Sequence, residues 1–177
     1  MNLRRIVTGR NEAGKSVFVS DGAPPGDPRF EHIPGMEAAV AWRTGTRGAQ
    51  EARGAMQGES SVLPGPGGTT LLVVTFPPDS VRMRPDFDHA AAGAESLRRL
   101  PGLAEAFERE APGMHTTPTV DYGILLEGEI SLELDGGVIK TLRAHDVVVQ
   151  DGTRHAWRNV SDRPATMLFV LIGAHRG

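Results

Sequence analysis

The sequence predicts a mainly β fold, a small antiparallel barrel or sandwich, and the stretch from residue 113 to residue 159 predicts it most clearly. Short runs of alternating or continuous apolar residues follow one another there, as expected for strands with a buried face. Tight turns separate these runs at Glu127-Gly128, Asp135-Gly136-Gly137 and Asp151-Gly152. The chain also contains 22 glycines and 13 prolines among 177 residues, which suits a turn-rich β protein better than a helical one.

Residues 1–45 are predicted to contribute N-terminal strands that extend the main β structure. The first two strands, Leu3–Thr8 and Ser16–Ser20, are expected to form a hairpin, because Gly14 between them readily supplies a positive φ. A third strand is expected at Ala38–Thr44, with Val40 and Trp42 on one face.

Residues 46–68 are predicted to be a flexible loop, because they are rich in glycine and proline and poor in large apolar residues. An ordinary surface loop and a lid over a functional site both remain open for this segment. Residues 69–177 are expected to form the barrel within a single domain. The barrel begins with Thr69–Phe76, whose continuous apolar run predicts a strand buried on both faces.

A helical insert is predicted over residues 88–112, between the first barrel strand and the others. Asp88 is a suitable N-cap for a helix that continues through Leu100. Pro101 is then expected to begin a second short helix, which ends at Gly113.

From residue 119 the chain is predicted to alternate between strands and short connections, so that consecutive strands are antiparallel neighbours. The expected strands are Thr119–Glu127, Glu129–Leu134, Val138–Leu142, Asp146–Gln150, Ala156–Asn159 and Ala165–Ile172.

Side-chain alternation along these strands brings several polar residues to one inner face. Asp121 and Gly123 share a face, and the missing side chain of Gly123 is expected to leave open space for a pocket. With His155 pointing inward, Trp157 shares its face and forms a wall of that pocket. Gln150 is expected to look into the barrel, either as a polar contact for a substrate or as a weak oxygen ligand.

Composition excludes several classes of function. The net charge of −3, the pI near 6.1 and the lack of a basic run argue against nucleic acid as a partner. The absence of cysteine excludes disulfides, thiolate nucleophiles and cysteine-ligated metals. No apolar run resembles a signal peptide or a membrane span, so we expect a cytoplasmic protein without a membrane partner.

Two spaced sets of residues resemble the motifs of a known family. The first set reads His115-x-Thr117, three residues, Asp121, six residues and Gly128. The second set runs from Asp146 to His155 and is followed by Asn159. These sets resemble the two motifs of the cupin superfamily, and the His-x-Thr-x-Thr-x-Asp-Tyr form of the first is similar to that of small single-domain bacterial cupins. The resemblance extends from residue 113 to the end of the chain.

The resemblance implies a single cupin barrel, a jelly roll also called a double-stranded β-helix. Residues 1–45 would be its N-terminal strand extension, with a short helical segment before the first motif. Cupins commonly dimerise through N-terminal strands, so the resemblance also implies a homodimer in which the hairpin of residues 3–20 takes part. In many cupins the segment before the first motif packs across the barrel mouth, where His89 or Phe107 would approach the pocket.

The same resemblance implies a divalent metal, iron, zinc, manganese or nickel, held by His115, Asp121 and His155. Two imidazoles and one carboxylate are a set that binds such ions and leaves positions open for substrate. Relative to the family pattern, Thr117 replaces a histidine and Asp121 replaces a glutamate. The alternative is that Asp121 is a hydrogen-bonded barrel residue and that the histidines have no metal role.

The resulting hypothesis is a metal-dependent enzyme that acts on a small oxygenated organic molecule, an aromatic or polyketide-like acid, enol or ketone. Decarboxylation, dehydration, isomerisation and dioxygenation all remain open, and no catalytic residue is assigned. The substrate contacts are expected to be Gln150, Trp157, Thr117 and Gly123. The alternative is a non-catalytic cupin that binds a small molecule without a metal.

Overall fold

The computed structural model describes residues 1–45, 48–50 and 61–174, which form eleven β-strands and one α-helix. The strands are β1 (Arg5–Arg10), β2 (Ser16–Gly22), β3 (Glu37–Gly45), β4 (Gly48–Gln50), β5 (Thr69–Phe76), β6 (Thr119–Glu127), β7 (Glu129–Leu134), β8 (Ile139–Arg143), β9 (Val147–Asp151), β10 (His155–Arg158) and β11 (Ala165–Gly173). Helix α1 spans His89–Arg99, between β5 and β6.

The strands form two main sheets and a separate hairpin. The larger sheet has six strands in the order β4-β3-β5-β11-β6-β9, and the smaller has three in the order β10-β7-β8. All described pairings are antiparallel, and β1 pairs with β2 in the hairpin. One apolar core lies between the two main sheets, with Leu72, Leu125 and Met167 from the larger sheet and Ile130 and Leu142 from the smaller. This arrangement confirms the predicted jelly-roll fold.

Alternation along β6 gives that strand an inner and an outer face. Asp121, Gly123 and Leu125 are buried, whereas the side chain of Tyr122 is 44% exposed on the other face. Three strands, β5, β6 and β7, begin and end at the predicted residues, and the other predicted strands differ by one or two residues at their ends. The period-2 pattern therefore located the inner face of the sheet correctly.

The predicted second helix is wrong, since only a 3-10 turn at Ala104–Ala106 follows α1. Gly102 adopts a left-handed φ of 81°, which interrupts right-handed helical geometry directly after Pro101. At Phe107 the backbone is already extended, with a φ of −69° and a ψ of 132°. Phe107 then pairs with His115, and the chain between them turns back through a hydrogen bond from the Met114 N–H to the Ala111 carbonyl oxygen.

The predicted loop of residues 46–68 is wrong at one place, because Gly48–Gln50 forms β4 and pairs with β3. The register pairs Gly45 with Gly48 and adds β4 as an edge strand of the larger sheet. The rest of the loop as far as residue 60, on which the lid interpretation depends, lies outside the described residues.

Helix α1 is capped as predicted and fastened to the loop before β3. The side chain of Asp88 accepts a hydrogen bond from the backbone N–H of Ala91 at 2.9 Å. On the buried side, Glu95 is only 1% exposed and accepts hydrogen bonds from the backbone N–H groups of Glu31 and His32 at 2.9 and 2.7 Å. This helix positions Leu100, which lines the cavity described next.

Candidate functional site

A cavity of about 80 Å³ lies between the two sheets, beside the end of the helical segment. It is smaller than the cavity of roughly 150 Å³ that holds a benzene molecule, so it accommodates a small group or part of a larger ligand. Most of its lining is apolar. The lining residues include Met36, Leu63, Leu72, Val74, Phe76, Leu100, Leu103, Phe107, Phe169 and Leu171, together with the polar His115, Thr117, Asp121, Gln150 and His155, and Trp157.

His115 and His155 form the centre of the polar group. Their backbones pair directly, with N–H···O distances of 2.9 and 3.0 Å in the two directions. Their ring centroids are 4.2 Å apart, and both side chains are buried. His155 begins β10, and this pairing holds His115 beside it, although 39 positions of sequence separate the two residues. The sequence motifs predicted this proximity.

Hydrogen bonds fix the same tautomer in both imidazoles. The Nδ1 atom of His115 lies 3.1 Å from the carbonyl oxygen of Gly113, and that of His155 lies 2.9 Å from the carbonyl oxygen of Thr153. A carbonyl oxygen only accepts, so each Nδ1 carries the proton when the ring is neutral. The lone pair of each ring then resides on Nε2, the atom through which a histidine in this tautomer binds a metal.

Burial keeps both rings uncharged at neutral pH. Burial, with a smaller contribution from the neighbouring His155, lowers the pKa of His115 to about 4, although the Gly113 carbonyl and the Glu108 charge act in the opposite direction. Burial also lowers the pKa of His155, against an opposing contribution from the Thr153 carbonyl. Two neutral imidazoles are therefore ready to act as ligands without first losing a proton.

Asp121 and Gln150 lie opposite each other on β6 and β9. Their side chains are 4% and 3% exposed, and both line the cavity. Thr117, 4% exposed, also lines it and accepts a hydrogen bond from the Thr119 hydroxyl at 2.9 Å. The predicted polar residues thus share one cavity.

Aromatic rings form one wall of the cavity. Trp157 lies edge-on to His155, with centroids 6.0 Å apart, and edge-on to Phe169 at 5.6 Å. At the rim, Phe107 contacts His115 with centroids 4.6 Å apart and remains 40% exposed. Trp157 is the predicted wall residue, whereas sequence reasoning did not single out Phe169. Phe169 lies opposite Gly123 in the pairing of β6 with β11, and this register brings its ring to the cavity wall.

Gly123 lies outside the cavity lining, and the expected open space beside it is filled. A Cβ atom at this position would lie 3.3 Å from Met167 Cε and 3.3 Å from Phe169 Cε1. The glycine therefore lets two large side chains of β11 pack closely against β6.

Two further histidines lie away from the cavity. His89 is exposed at the first turn of α1, where its ring contacts Phe87 at 4.8 Å. His145 is exposed in the turn before β9, with a left-handed φ of 78°. Of the two residues expected to approach the pocket from the helical segment, the structure brings Phe107 there and leaves His89 outside.

A salt-bridge network fastens the segment that carries His115. Arg154, next to His155 in the chain, donates two hydrogen bonds of 2.6 Å to the carboxylate of Glu108 and one of 2.5 Å to Asp135. Arg158 donates to Glu133 at 2.7 Å and to the carbonyl oxygen of Pro112 at 2.8 Å. The sequence analysis did not predict this network. Only the position of Arg154 directly before His155 could have indicated that Arg154 lies near the site.

The donor types in the cavity suit a divalent metal, but their spacing does not form a closed site. Among residues 1–45 and 61–174, no three His, Asp or Glu side chains are grouped closely enough to hold a metal ion. The two imidazoles fit a metal by their tautomer, their charge state and their mutual contact. Asp121 lines the same cavity without completing the group.

Residues 107–171 match the family model described as cupin domain. Over this region, about a third of the chain, the protein is similar to the cupin superfamily. The matched region begins at Phe107 and contains the paired histidines, Asp121, Gln150 and Trp157. Within the part of the chain that the structure describes, no helix is both long and apolar enough to cross a membrane.

Several curated fungal proteins are similar to this chain over part of its length. Oryzines biosynthesis cluster protein J of Aspergillus oryzae is 44% identical over 64 residues, 36% of this chain and 36% of that protein. The cupin-domain-containing oxidoreductase virC of Hypocrea virens is 40% identical over 62 residues, 33% of this chain and 32% of that protein. The chain thus matches about a third of the length of these relatives. The sequence resemblance pointed to bacterial cupins, whereas these relatives are fungal.

Solved structures with a similar arrangement include two bacterial cupins. A cupin superfamily protein from Desulfitobacterium hafniense has a TM-score of 0.42 and 11% identity, covering 82% of this chain and 84% of its own. A cupin 2 conserved barrel domain protein from Salinispora arenicola has a TM-score of 0.41 and 14% identity, covering 82% of each chain. At these TM-scores neither structure bears on function.

Proposed function

We propose that this cupin is an enzyme that acts on a small oxygenated organic molecule with the help of one divalent metal ion. The observation that carries the proposal is the pair of neutral imidazoles in the cavity, each with its Nδ1–H bound to a carbonyl and its lone pair on Nε2. His115 and His155 would hold the metal, with Asp121 as the third protein ligand. When bound, such a metal polarises a carbonyl, carboxylate or enol, or activates oxygen.

The chain's own residues would bind the substrate and limit the access of water. Trp157, Phe169 and Leu171 offer an apolar surface to the carbon skeleton of the substrate. Phe107, at the rim and in contact with His115, covers one side of the opening. The bond from Arg154 to Glu108 keeps this rim segment against β10, so that the histidine geometry is held before substrate arrives.

The names of the relatives favour oxidoreduction among the reactions that the sequence left open. Besides virC, the cupin-domain-containing oxidoreductase fogC of Aspergillus ruber is 39% identical over 80 residues, 44% of this chain and 38% of that protein. Dioxygenation belongs to this class of reaction, whereas decarboxylation, dehydration and isomerisation do not. The proposed reaction is therefore an oxidation of the small substrate, with an aromatic or polyketide-like acid, enol or ketone as the starting hypothesis.

A second candidate function is binding of a small molecule without metal or catalysis. One observation favours it: the described residues contain no group of three acidic or imidazole side chains at metal-binding spacing. In that case the imidazoles and Gln150 would serve as hydrogen-bonding groups for the ligand.

Metal content tests the proposal and separates the two candidates. Wild type, His155→Ala and the control His89→Ala are purified without a His-tag, incubated with Fe(II), Zn(II), Mn(II) or Ni(II), desalted and assayed by elemental analysis. His89 is a matched control because it is an exposed histidine outside the cavity. We expect about one metal ion per chain in wild type and in His89→Ala, and none in folded His155→Ala. Absence of metal from all three proteins would refute the metal proposal and leave the binding module.

We further propose that the protein is a homodimer in which the β1–β2 hairpin contacts the partner. The hairpin forms a two-stranded sheet of its own, and such hairpins are marginally stable in water unless they pack against another surface. Phe18 on β2 is 77% exposed and Val19 is 56% exposed. Light scattering after size-exclusion chromatography should give a dimer mass for wild type and a monomer mass for Phe18→Ser. A monomeric wild type would contradict the proposal.

A further inference from the structure

The side-chain amide of Gln150 is buried in the cavity wall, yet its nitrogen has no hydrogen-bond partner among the described residues. Gln150 is 3% exposed and is held on β9 by the pairing of that strand with β6. A buried donor without an acceptor is unfavourable, and native proteins generally satisfy such groups with protein, water or ligand. An acceptor atom supplied by a ligand would satisfy it here.

Thr117 supplies a second donor to the same cavity. Its oxygen accepts the hydrogen bond from Thr119, so its own hydroxyl proton remains available to donate. The side chain is 4% exposed and lines the cavity together with Gln150. A hydroxyl donor and an amide donor therefore belong to one small space.

The charge of the cavity limits which acceptor fits these donors. The described lining contains no lysine or arginine. A buried carboxylate on the ligand would have no protein ammonium or guanidinium group to offset its lost hydration. An uncharged carbonyl oxygen needs only hydrogen-bond donors.

We propose that Gln150 and Thr117 form a subsite that binds an uncharged carbonyl oxygen of the substrate, such as that of a ketone, aldehyde or ester. The apolar rings of Trp157 and Phe169 would contact the adjoining carbon skeleton. This inference rests on the proposed function for the existence of a small oxygenated substrate, and it selects carbonyl compounds over free acids. The preference for an uncharged oxygen applies to the metal-free protein, in which it is tested.

Butanone and propanoate are suitable probes, because they share size and shape and differ in charge. Metal-free, ¹⁵N-labelled full-length protein is titrated with each probe while the glutamine side-chain NH₂ signals are followed by NMR. The chain has only three glutamines, so comparison with Gln150→Met assigns the Gln150 signal. Butanone should shift this signal and bind more tightly than propanoate.

The variants give the second readout. Gln150→Met keeps the shape of the side chain and removes the donor, so butanone affinity should fall about tenfold, the usual effect of one hydrogen bond. Thr117→Val should also weaken butanone binding. Val149→Met, at the outward-facing neighbour on β9 that is 65% exposed, should leave it unchanged. Both variants and the control should remain folded, as judged by their amide spectra.

Three outcomes would overturn the inference: an unshifted Gln150 signal in wild type, equal butanone affinity in wild type and Gln150→Met, or tighter binding of propanoate. If Gln150→Met does not fold, Thr117→Val decides the question, and a butanone affinity equal to that of wild type overturns the inference. Because the protein is metal-free, failure of the metal proposal would leave these results unaffected. Conversely, a metal-binding protein without the Gln150 response would refute only the carbonyl subsite.

Discussion

Replacing Glu95 by glutamine should destabilise the protein by about 3 kcal/mol, because this carboxylate joins α1 to the loop before β3. Glu95 is 1% exposed and accepts three hydrogen bonds, from the N–H groups of Glu31 and His32 and from Arg99 Nε at 2.8 Å. Glutamine keeps the shape but offers one acceptor oxygen and places NH₂ against a donor. At least one buried backbone N–H then loses its partner, which costs roughly 1–3 kcal/mol, and the remaining bonds lose their charge assistance.

The assay is urea denaturation at pH 7, with Arg98→Ala as the control on an exposed position of the same helix. The control should lie within about 0.5 kcal/mol of wild type, as is usual for surface substitutions. If Glu95→Gln also lies within that range, the carboxylate does not hold the helix to the loop and the reasoning is refuted.

The pH dependence of stability gives an independent check on Glu95. Burial by itself raises the pKa of this carboxyl, but the N–H groups of Glu31 and His32 and the charge of Arg99 lower it overall, below its ordinary value of 4.5. A carboxyl group whose pKa is lower in the folded than in the unfolded state stabilises the fold at pH values above its unfolded pKa. For Glu95 this stabilisation is lost as the pH falls from about 4.5 through the pKa of the folded state. Wild type should therefore lose more stability on acidification than Glu95→Gln, which has no such proton to bind. Parallel curves for the two proteins would contradict the assignment.

Three further substitutions test the barrel and its rim. Leu125→Ala removes a fully buried side chain between the sheets and should lower the free energy of unfolding, measured by urea titration, by about 2–5 kcal/mol. A decrease below about 1 kcal/mol would mean that the core is not packed as described. Gly128→Ala should lower the free energy of unfolding by more than about 1 kcal/mol, because the φ of this residue is 86° and the new Cβ would lie 2.5 Å from the Pro164 carbonyl oxygen. An unchanged melting temperature would show that this turn tolerates a side chain. Arg154→Ala removes the hydrogen bonds to the Glu108 carboxylate. The backbone N–H of Glu108, which donates to the Met114 carbonyl, should then exchange with solvent faster, whereas the β5 amides should be little affected. Equal exchange rates at Glu108 in wild type and variant would show that Arg154 does not hold this segment in place.

The sequence predicted the barrel well wherever the pattern was local. Thr69–Phe76 was recognisable from its apolar run, and Thr119–Glu127 and Glu129–Leu134 from the glycine that separates them. The second helix was wrong because Gly102 favours a left-handed conformation that helix propensity does not anticipate. Propensity also missed β4, because a three-residue edge strand forms mainly through pairing with β3.

The candidate site was predictable as a set of residues and unpredictable as a geometry. Motif spacing singled out His115, Asp121 and His155, and parity added Gln150 and Trp157. The space beside Gly123 was misjudged because strand parity gives the direction of a side chain and says nothing of what the neighbouring strand β11 places there. Whether the two imidazoles and the carboxylate come together closely enough for a metal is likewise a matter of sheet-to-sheet packing.

The sequence by itself determined the alternation of strands, the turns between them and the chemical types available inside the barrel, because these depend on residues a few positions apart. The tertiary structure decided which of those residues meet. The rim bond between Arg154 and Glu108 joins residues 46 positions apart, and the contact of Glu95 with the Glu31 N–H spans 64. Such contacts depend on how the sheets, the helix and the loops pack, and no local pattern of side chains specifies that packing.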